Sequence, residues 1–404
     1  MITVDEMPIT RLPDWRPAVL KDEPPTPTSG SAAKRVLLPR GQVVWLVSSY
    51  ELCRQVLSHA AFCSDHAHPA YPDVFPIKKV SQNQAPMLAT YSGMDHPEHT
   101  LHRRLIAPEF SRAAVEQWRT QVREFAEQAR ESMLASGASS GDLVRQYAEP
   151  IASTTIFAFL GVPLSWRPEL MQFAGILAGG TGVDRGTAQA ASLGFRARLD
   201  ALLAEIEVRP SDCLISRLIE KYKPEKRYSR AQFVELVGAL IAAGYQTVTT
   251  MIALSAALLI DRPLERARML ADHRSLAMGI EELLRYLSVG DLTPARVAAS
   301  DVDIDGWRVR AGEGVIASTA HANYDRQRFE NASRFDPDRK DCDHLAFGHG
   351  VHKCLGQHLA RLELEAALTV LFQALPEPRF ADVAPLKLQR NHAILAVESV
   401  LVQW

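Results

Sequence analysis

The sequence holds 404 residues, with 45 Lys and Arg against 47 Asp and Glu and a formal charge of −2. Hydrophobic residues at 47% and charged residues at 23% exclude disordered, collagen-like and coiled-coil classes, and the near-neutral balance gives no electrostatic ground for a nucleic-acid partner. Five cysteines are too few here for a disulfide scaffold, and their odd number cannot all pair, which reads as a reducing cytoplasmic setting.

Met1–Pro13 has no basic start followed by an apolar run, so neither signal peptide nor anchor is expected. Residues 21–35, KDEPPTPTSGSAAKR, read as loop. Val36–Leu38 and Val43–Val47 flank Pro39-Arg40-Gly41-Gln42, the pattern of a β-hairpin with glycine at its turn. Ser48 or Ser49 is placed to cap a short helix running to about Leu57. Cys63–Met94 is rich in Pro, His, Ser and Asn without a period, which predicts a long surface loop. Val115, Trp118, Val122, Phe125, Ala129 and Met133 recur at three- and four-residue steps and predict one long amphipathic helix. Helical patterns continue over Asp142–Leu160, Arg167–Leu177 and Gly186–Val208, with Gly179-Gly180-Thr181-Gly182 as a flexible connection.

Leu236–Ile260 carries no charged residue and is long enough to cross a bilayer. Its middle, Tyr245-Gln246-Thr247-Val248-Thr249-Thr250, would set amide and hydroxyl groups at the bilayer centre. A helix over Arg230–Ile260, buried in a large domain and stopped by Asp261-Arg262-Pro263, fits the pattern better, so no membrane is expected. Beyond Pro294, Asp301–Val309 and Val315–Ala317 alternate like short strands around Gly306 and Gly312, and Leu355–Leu375 returns to helix before Pro376. No repeat or linker interrupts the chain. The reading is one mainly α domain over 1–404 with small β-sheets and an extended segment over 1–35.

His344–Arg361 reads HLAFGHGVHKCLGQHLAR. Cys354 follows a glycine-rich stretch and stands where a helix begins at Leu355, a place where free N–H groups and the helix dipole favour a thiolate. The glycines let backbone pass close to something flat and bulky, and such a thiolate suits a soft axial ligand to iron. Other readings stand beside this one. A lone cysteine is usually a small buried apolar group. Zinc requires three or four ligands, and the crowded His349, His352 and Cys354 make no obvious set. A nucleophilic cysteine with a histidine base is a further option.

Phe347-Gly348-x-Gly350-x-His352-x-Cys354-x-Gly356 resembles the haem-binding signature of the cytochrome P-450 family. Three more landmarks resemble that family in order and spacing. Glu282-Leu283-Leu284-Arg285 is similar to its ExxR motif, with Arg339 of FDPDR as third member of the ion-pair set. Ala243-Gly244-x-x-Thr247 is similar to its oxygen-binding motif. His99-Thr100-Leu101-His102-Arg103, after Asp95-His96-Pro97-Glu98, is similar to its propionate-supporting helix. Helical spacing alone puts Glu282 with Arg285, and His99 with Arg103, on shared faces. The resemblance covers essentially the whole chain and is strongest to soluble bacterial members of actinomycete secondary metabolism.

The resemblance implies a haem b seated between the long central helix and the cysteine-loop helix, with Cys354 as iron ligand. His99, Arg103, Arg296 and His352 would hold its propionates, and Phe347, Gly348 and Gly356 would line it. Glu282, Arg285 and Arg339 would serve folding and haem retention. Gly244 would leave room for dioxygen beside Ala243, and Thr247 would offer a hydroxyl for proton delivery, although a helical threonine also back-bonds to its i−4 carbonyl. Gln246 departs from the family, which usually has an acid there, and an amide cannot titrate. Asn323-Tyr324-Asp325-Arg326 stands where the family more usually has an Arg and a Pro in that stretch, an adjustment of local packing. Ala67–Ser92, Phe173–Ala188, Ala239–Thr247, Ser288–Pro294 and His392–Leu395 would line the substrate pocket. Electrons would come from NAD(P)H through a ferredoxin reductase and ferredoxin, docked on Arg103, Arg104, Arg112, Lys353 and Arg361. The expected reaction is oxygenation of a mid-sized, largely hydrophobic natural product. Oxidative C–C or C–N coupling is the alternative on the same chemistry, and a non-catalytic recruitment domain is the alternative of another class.

Overall fold

In the computed structural model, the described residues are 10–11, 32–38, 41–72, 74, 89–135, 137–177, 185–226, 229–290, 294–375, 377–381, 386–389 and 395–404. The uncharged run becomes the helix Arg230–Asp261, here the central helix. It packs against the helices Glu149–Leu160, Arg185–Val208 and Gln357–Ala374, and 61% of its most apolar window is buried, which makes it a core helix as its polar middle predicts. Apolar side chains from all four helices enter one continuous core.

The expected helix from Val115 to Met133 is broken. Arg112–Glu116 and Arg119–Leu134 are separate helices, joined at Gln117 and Trp118, and the Trp118 ring packs on Phe159 at 5.2 Å. The pattern from Asp142 is likewise divided. Ser140–Asp142 is a strand, Val144–Ala148 a π-helical turn, and only Glu149–Leu160 is regular helix. The Tyr147 hydroxyl ties that turn to Ala367 at 2.7 Å. Arg167–Leu177 and Arg185–Val208 are helices as read, and the glycine-rich connection between them lies outside the described residues.

Strands Ala33–Leu37 and Val43–Val47 form the expected hairpin, starting three residues earlier than its valine pattern, so the end of the predicted loop over 21–35 is strand. Gly41, at φ +84°, accommodates the turn, and Ser49 caps the helix Tyr50–Ser58 through Leu52 N at 3.4 Å. The hairpin joins Gly314–Ala317, Ala295–Ala298 and Phe62–Cys63 in a six-stranded sheet with Thr10–Arg11. Cys63 therefore belongs to a strand, and Ala89–Ser92 is a short helix. Between them, residues 73 and 75–88 of the expected long loop lie outside the described residues. Val302–Ile304 and Trp307–Val309 make a two-stranded hairpin around Gly306. The outcome is a mainly helical, single-domain fold with small sheets.

Candidate functional site

The helix His273–Leu287 carries Glu282 and Arg285, both fully buried. Glu282 accepts from Arg285 Nε at 2.7 Å and Nη2 at 2.8 Å, and from Arg339 Nε at 2.8 Å. Arg285 Nη1 donates to the carbonyls of Asn323 at 2.6 Å and Ala332 at 2.9 Å, and the Asp336 N–H donates to Glu282 at 3.0 Å. Two buried charges are thus surrounded by hydrogen bonds, the condition under which such a pair is tolerated. Asn323 carries the network onward. Its Nδ2 donates to Ser288 at 2.8 Å and its Oδ1 accepts from the Leu345 N–H at 2.7 Å, fixing the start of the cysteine segment. The stretch read as a packing adjustment therefore links the ion-pair helix to that segment. Its Tyr324 donates to the Tyr286 carbonyl at 2.7 Å.

The cysteine segment is held by its own backbone. Cys354 N–H donates to the Phe347 carbonyl at 2.8 Å, and Gly348 N–H to Leu345 at 2.8 Å. Gly348 and Gly350 sit at φ +69° and +71°, and a Cβ on Gly350 would lie 2.4 Å from the Leu57 carbonyl, so the loop presses on the end of helix Tyr50–Ser58. The helix begins at Gln357 with Gly356 as its cap, not at Leu355, which leaves Cys354 two residues ahead of the cap. Burial pushes the Cys354 thiol up, while the Gly356 N–H and the Arg103, Arg361 and Lys353 charges favour the thiolate. Gly356 has ordinary dihedrals and a Cβ there would meet nothing within 4 Å, so neither strain nor packing calls for glycine. Among the described residues, no three His, Cys, Asp or Glu side chains come together as a metal-ligand set.

His99 lies on helix Glu98–Ile106, Arg296 on strand Ala295–Ala298 and His352 beside the cysteine. The His99 and His352 rings stand 4.0 Å apart, and the Nε2 atom of each is buried with no hydrogen-bond partner. Burial first, then the Arg296, His99 and Arg103 charges, hold His352 down to about 3. His99 is lowered by burial and Arg103. Asp95, the nearby carboxylate, is engaged by the Ser64 N–H at 2.9 Å. Cationic and donor groups thus converge with orphaned buried atoms, which fits a bound dianion such as the two propionates of a haem.

On the central helix, Ala243 is exposed and Gly244, Tyr245, Gln246 and Thr247 are half-buried, ahead of a buried stretch that starts at Val248. The long core helix is thus open at its middle. Thr247 Oγ1 donates to the Ala243 carbonyl at 2.8 Å, the back-bond weighed above. A Cβ on Gly244 would lie 2.7 Å from Ile156 Cδ1, so the glycine admits the neighbouring helix, and the exposed small residue is Ala243.

Of the basic residues expected to dock a partner, Arg361 is held by Glu281 and Arg104 by Glu225, while Arg112 is exposed. Sequence reading missed Glu281, Asn323 and Glu363. The last is buried on the cysteine helix with its carboxyl raised by burial. Only the doubled Glu281-Glu282 offered a signal, since adjacent helical residues face different partners.

A long core helix opened at its middle, a cysteine ahead of a helix cap and an orphaned cationic pocket define a protein of the haem-thiolate class. A cytochrome P-450 profile matches residues 196–376. The chain is 36% identical to cytochrome P-450 105A3 of Streptomyces carbophilus, over 95% of this chain and 91% of that protein. It is 33% identical to the vitamin D3 dihydroxylase of Streptomyces griseolus, over 98% and 94%. The crystal structure of CYP105N1 from Streptomyces coelicolor A3(2) matches with a TM-score of 0.87 at 34% identity, covering 98% of this chain and 99% of that one. The chain belongs to the cytochrome P-450 family.

Proposed function

We propose that this protein is a cytoplasmic haem-dependent monooxygenase that oxidises a mid-sized, largely hydrophobic natural product. The observation that carries the reading is the pairing of Cys354 with the orphaned His99 and His352 atoms, one site for a metal and one for its acidic side groups. Bound between the central helix and the cysteine helix, a haem with a thiolate ligand supplies dioxygen activation. Cys354 binds as thiolate, favoured by Gly356 N–H and nearby cations. His99, Arg103, Arg296 and His352 would hold the propionates, while Phe347, Gly348 and Gly356 would lie against the ring.

Ala243 leaves room on the opposite side. Thr247 keeps an acceptor lone pair while its proton is on Ala243, so it holds a water and releases a proton when the back-bond opens. Gln246 orients water without titrating. Electrons come from NAD(P)H through a ferredoxin reductase and ferredoxin, meeting the surface around Lys353 and Arg112. The substrate-lining segments are largely apolar with scattered His, Asn, Gln and Ser, which suits a hydrophobic compound with some polar groups.

A spin-state titration of the haem-loaded protein with candidate metabolites, followed by turnover and product mass, tests the reading. Gain of one oxygen supports monooxygenation, and loss of two hydrogens replaces it with coupling. A reduced protein with no thiolate-type carbon-monoxide spectrum would make it a non-catalytic module. Cys354→Ser is expected to lose that spectrum, and its retention overturns the ligand assignment.

A further inference from the structure

Glu281 and Glu282 are neighbours on one helix, yet they serve different sides of the molecule. Glu282 closes the buried ion-pair set. Glu281 turns toward the cysteine segment, accepting from Arg361 Nε at 2.6 Å and Nη2 at 2.8 Å, with His344 Nε2 at 3.2 Å. His344 precedes the cysteine loop and Arg361 follows it on the cysteine helix, so one carboxylate joins both ends of the segment that carries Cys354. The Arg361 guanidinium lies 4.6 Å from the centre of the Phe347 ring, and the Phe347 carbonyl accepts the Cys354 N–H at 2.8 Å. Burial pushes the Glu281 carboxyl up, but the Arg361 and His344 hydrogen bonds overcome it and hold it down at about 2, so the clamp stays ionised at working pH. The Arg361 charge in turn favours the Cys354 thiolate.

We propose that Glu281 is a positioning residue for the haem thiolate: by clamping and partly neutralising Arg361 over Phe347, it sets the positive field at the Cys354 sulfur and hence the reduction potential of the iron. The proposal rests on Cys354 being the iron ligand. Its sign follows from electrostatics alone. Positive charge near the sulfur favours the reduced, less positive iron, and negative charge opposes it.

The test is the midpoint potential of the haem-loaded protein, together with the iron–carbonyl stretch of its reduced carbon-monoxide complex. Glu281→Gln, which keeps the shape but removes the charge, is expected to raise the potential. Arg361→Gln is expected to lower it. Each shift is expected to reach about tenfold in the reduced-to-oxidised ratio at fixed potential, or about 59 mV for one electron. A residue that only supports packing would move both variants in the same direction or neither, and that result overturns the proposal. If Glu281→Gln does not fold, Arg361→Gln alone decides, because an unchanged potential removes the route. A wild-type protein without a thiolate-type spectrum would instead sink the haem-thiolate reading itself, a separate outcome.

Discussion

Buried polar groups are used in opposite ways on the two sides of the cysteine segment. Around Glu282, the two carboxylate oxygens and the facing guanidiniums meet partners between 2.6 and 3.0 Å, and the protein completes the network from its own atoms. Around His99 and His352, basic groups crowd together, lower one another's proton affinity and leave ring nitrogens buried with no partner. Each orphaned group costs about 1–3 kcal/mol, which a bound acidic group would recover. The first region holds the chain. The second suits an acidic group the chain does not supply.

Breaking the completed side produces the largest effect. Arg285→Met leaves Glu282 buried opposite Arg339 alone and is expected to cost about 3–5 kcal/mol. Urea unfolding should show that loss in both haem-free and haem-loaded protein, because no ligand is involved. His99→Gln should lower stability in the loaded form and change the haem-free form little. If both substitutions act equally on both forms, the distinction between the two regions fails.

Acid acts on the second region. The His352 imidazole is held at about 3 in the folded protein against its ordinary 6.5 in the unfolded chain. Between those values the unfolded chain binds the extra proton, so stability present near neutrality is lost as pH falls from 6.5 toward 3. Propionates beside the ring favour its charged form and shrink this loss. Unfolding midpoints across that window should therefore fall more steeply for haem-free than for haem-loaded protein. Coincident profiles would take the basic cluster out of haem binding.

The same contrast governs what can be read before any coordinates. Cys354, Glu282, Arg285 and the central helix were legible because their spacing and neighbours are local in sequence. Asn323 and Glu281 were not, since their partners lie on distant segments: Leu345 and Ser288 for one, His344 and Arg361 for the other. The packing at Gly244 was hidden for a related reason. Helical spacing groups the glycine with Thr247, but only the tertiary packing reveals that Ile156 fills the place of its side chain. Local periodicity likewise ran Arg112–Leu134 together, where Gln117 and Trp118 break it.

Gly244→Ala separates these roles on the central helix. Overpacking against Ile156 is expected to cost about 1–3 kcal/mol, with much of it recovered by Ile156→Val. Thermal unfolding measures both. A neutral Gly244→Ala that instead slows turnover would return the glycine to the dioxygen side and place the helix contact elsewhere.

The smallest effect belongs to Gln246, where the two uses of polar groups meet. The amide stands in the half-buried opening of the central helix, next to a threonine whose proton already rests on a backbone carbonyl. If the opening relies on water and Thr247, restoring a titratable group at 246 gives protons a second route. Gln246→Glu should then change product formed per NAD(P)H, and peroxide released, by a few-fold at most, below the usual size of a single general-acid contribution. Stability should hardly move, because the site is not sealed in the core. An unchanged yield and peroxide release would mean that the amide is bypassed, and proton delivery would then belong to Thr247 and solvent alone.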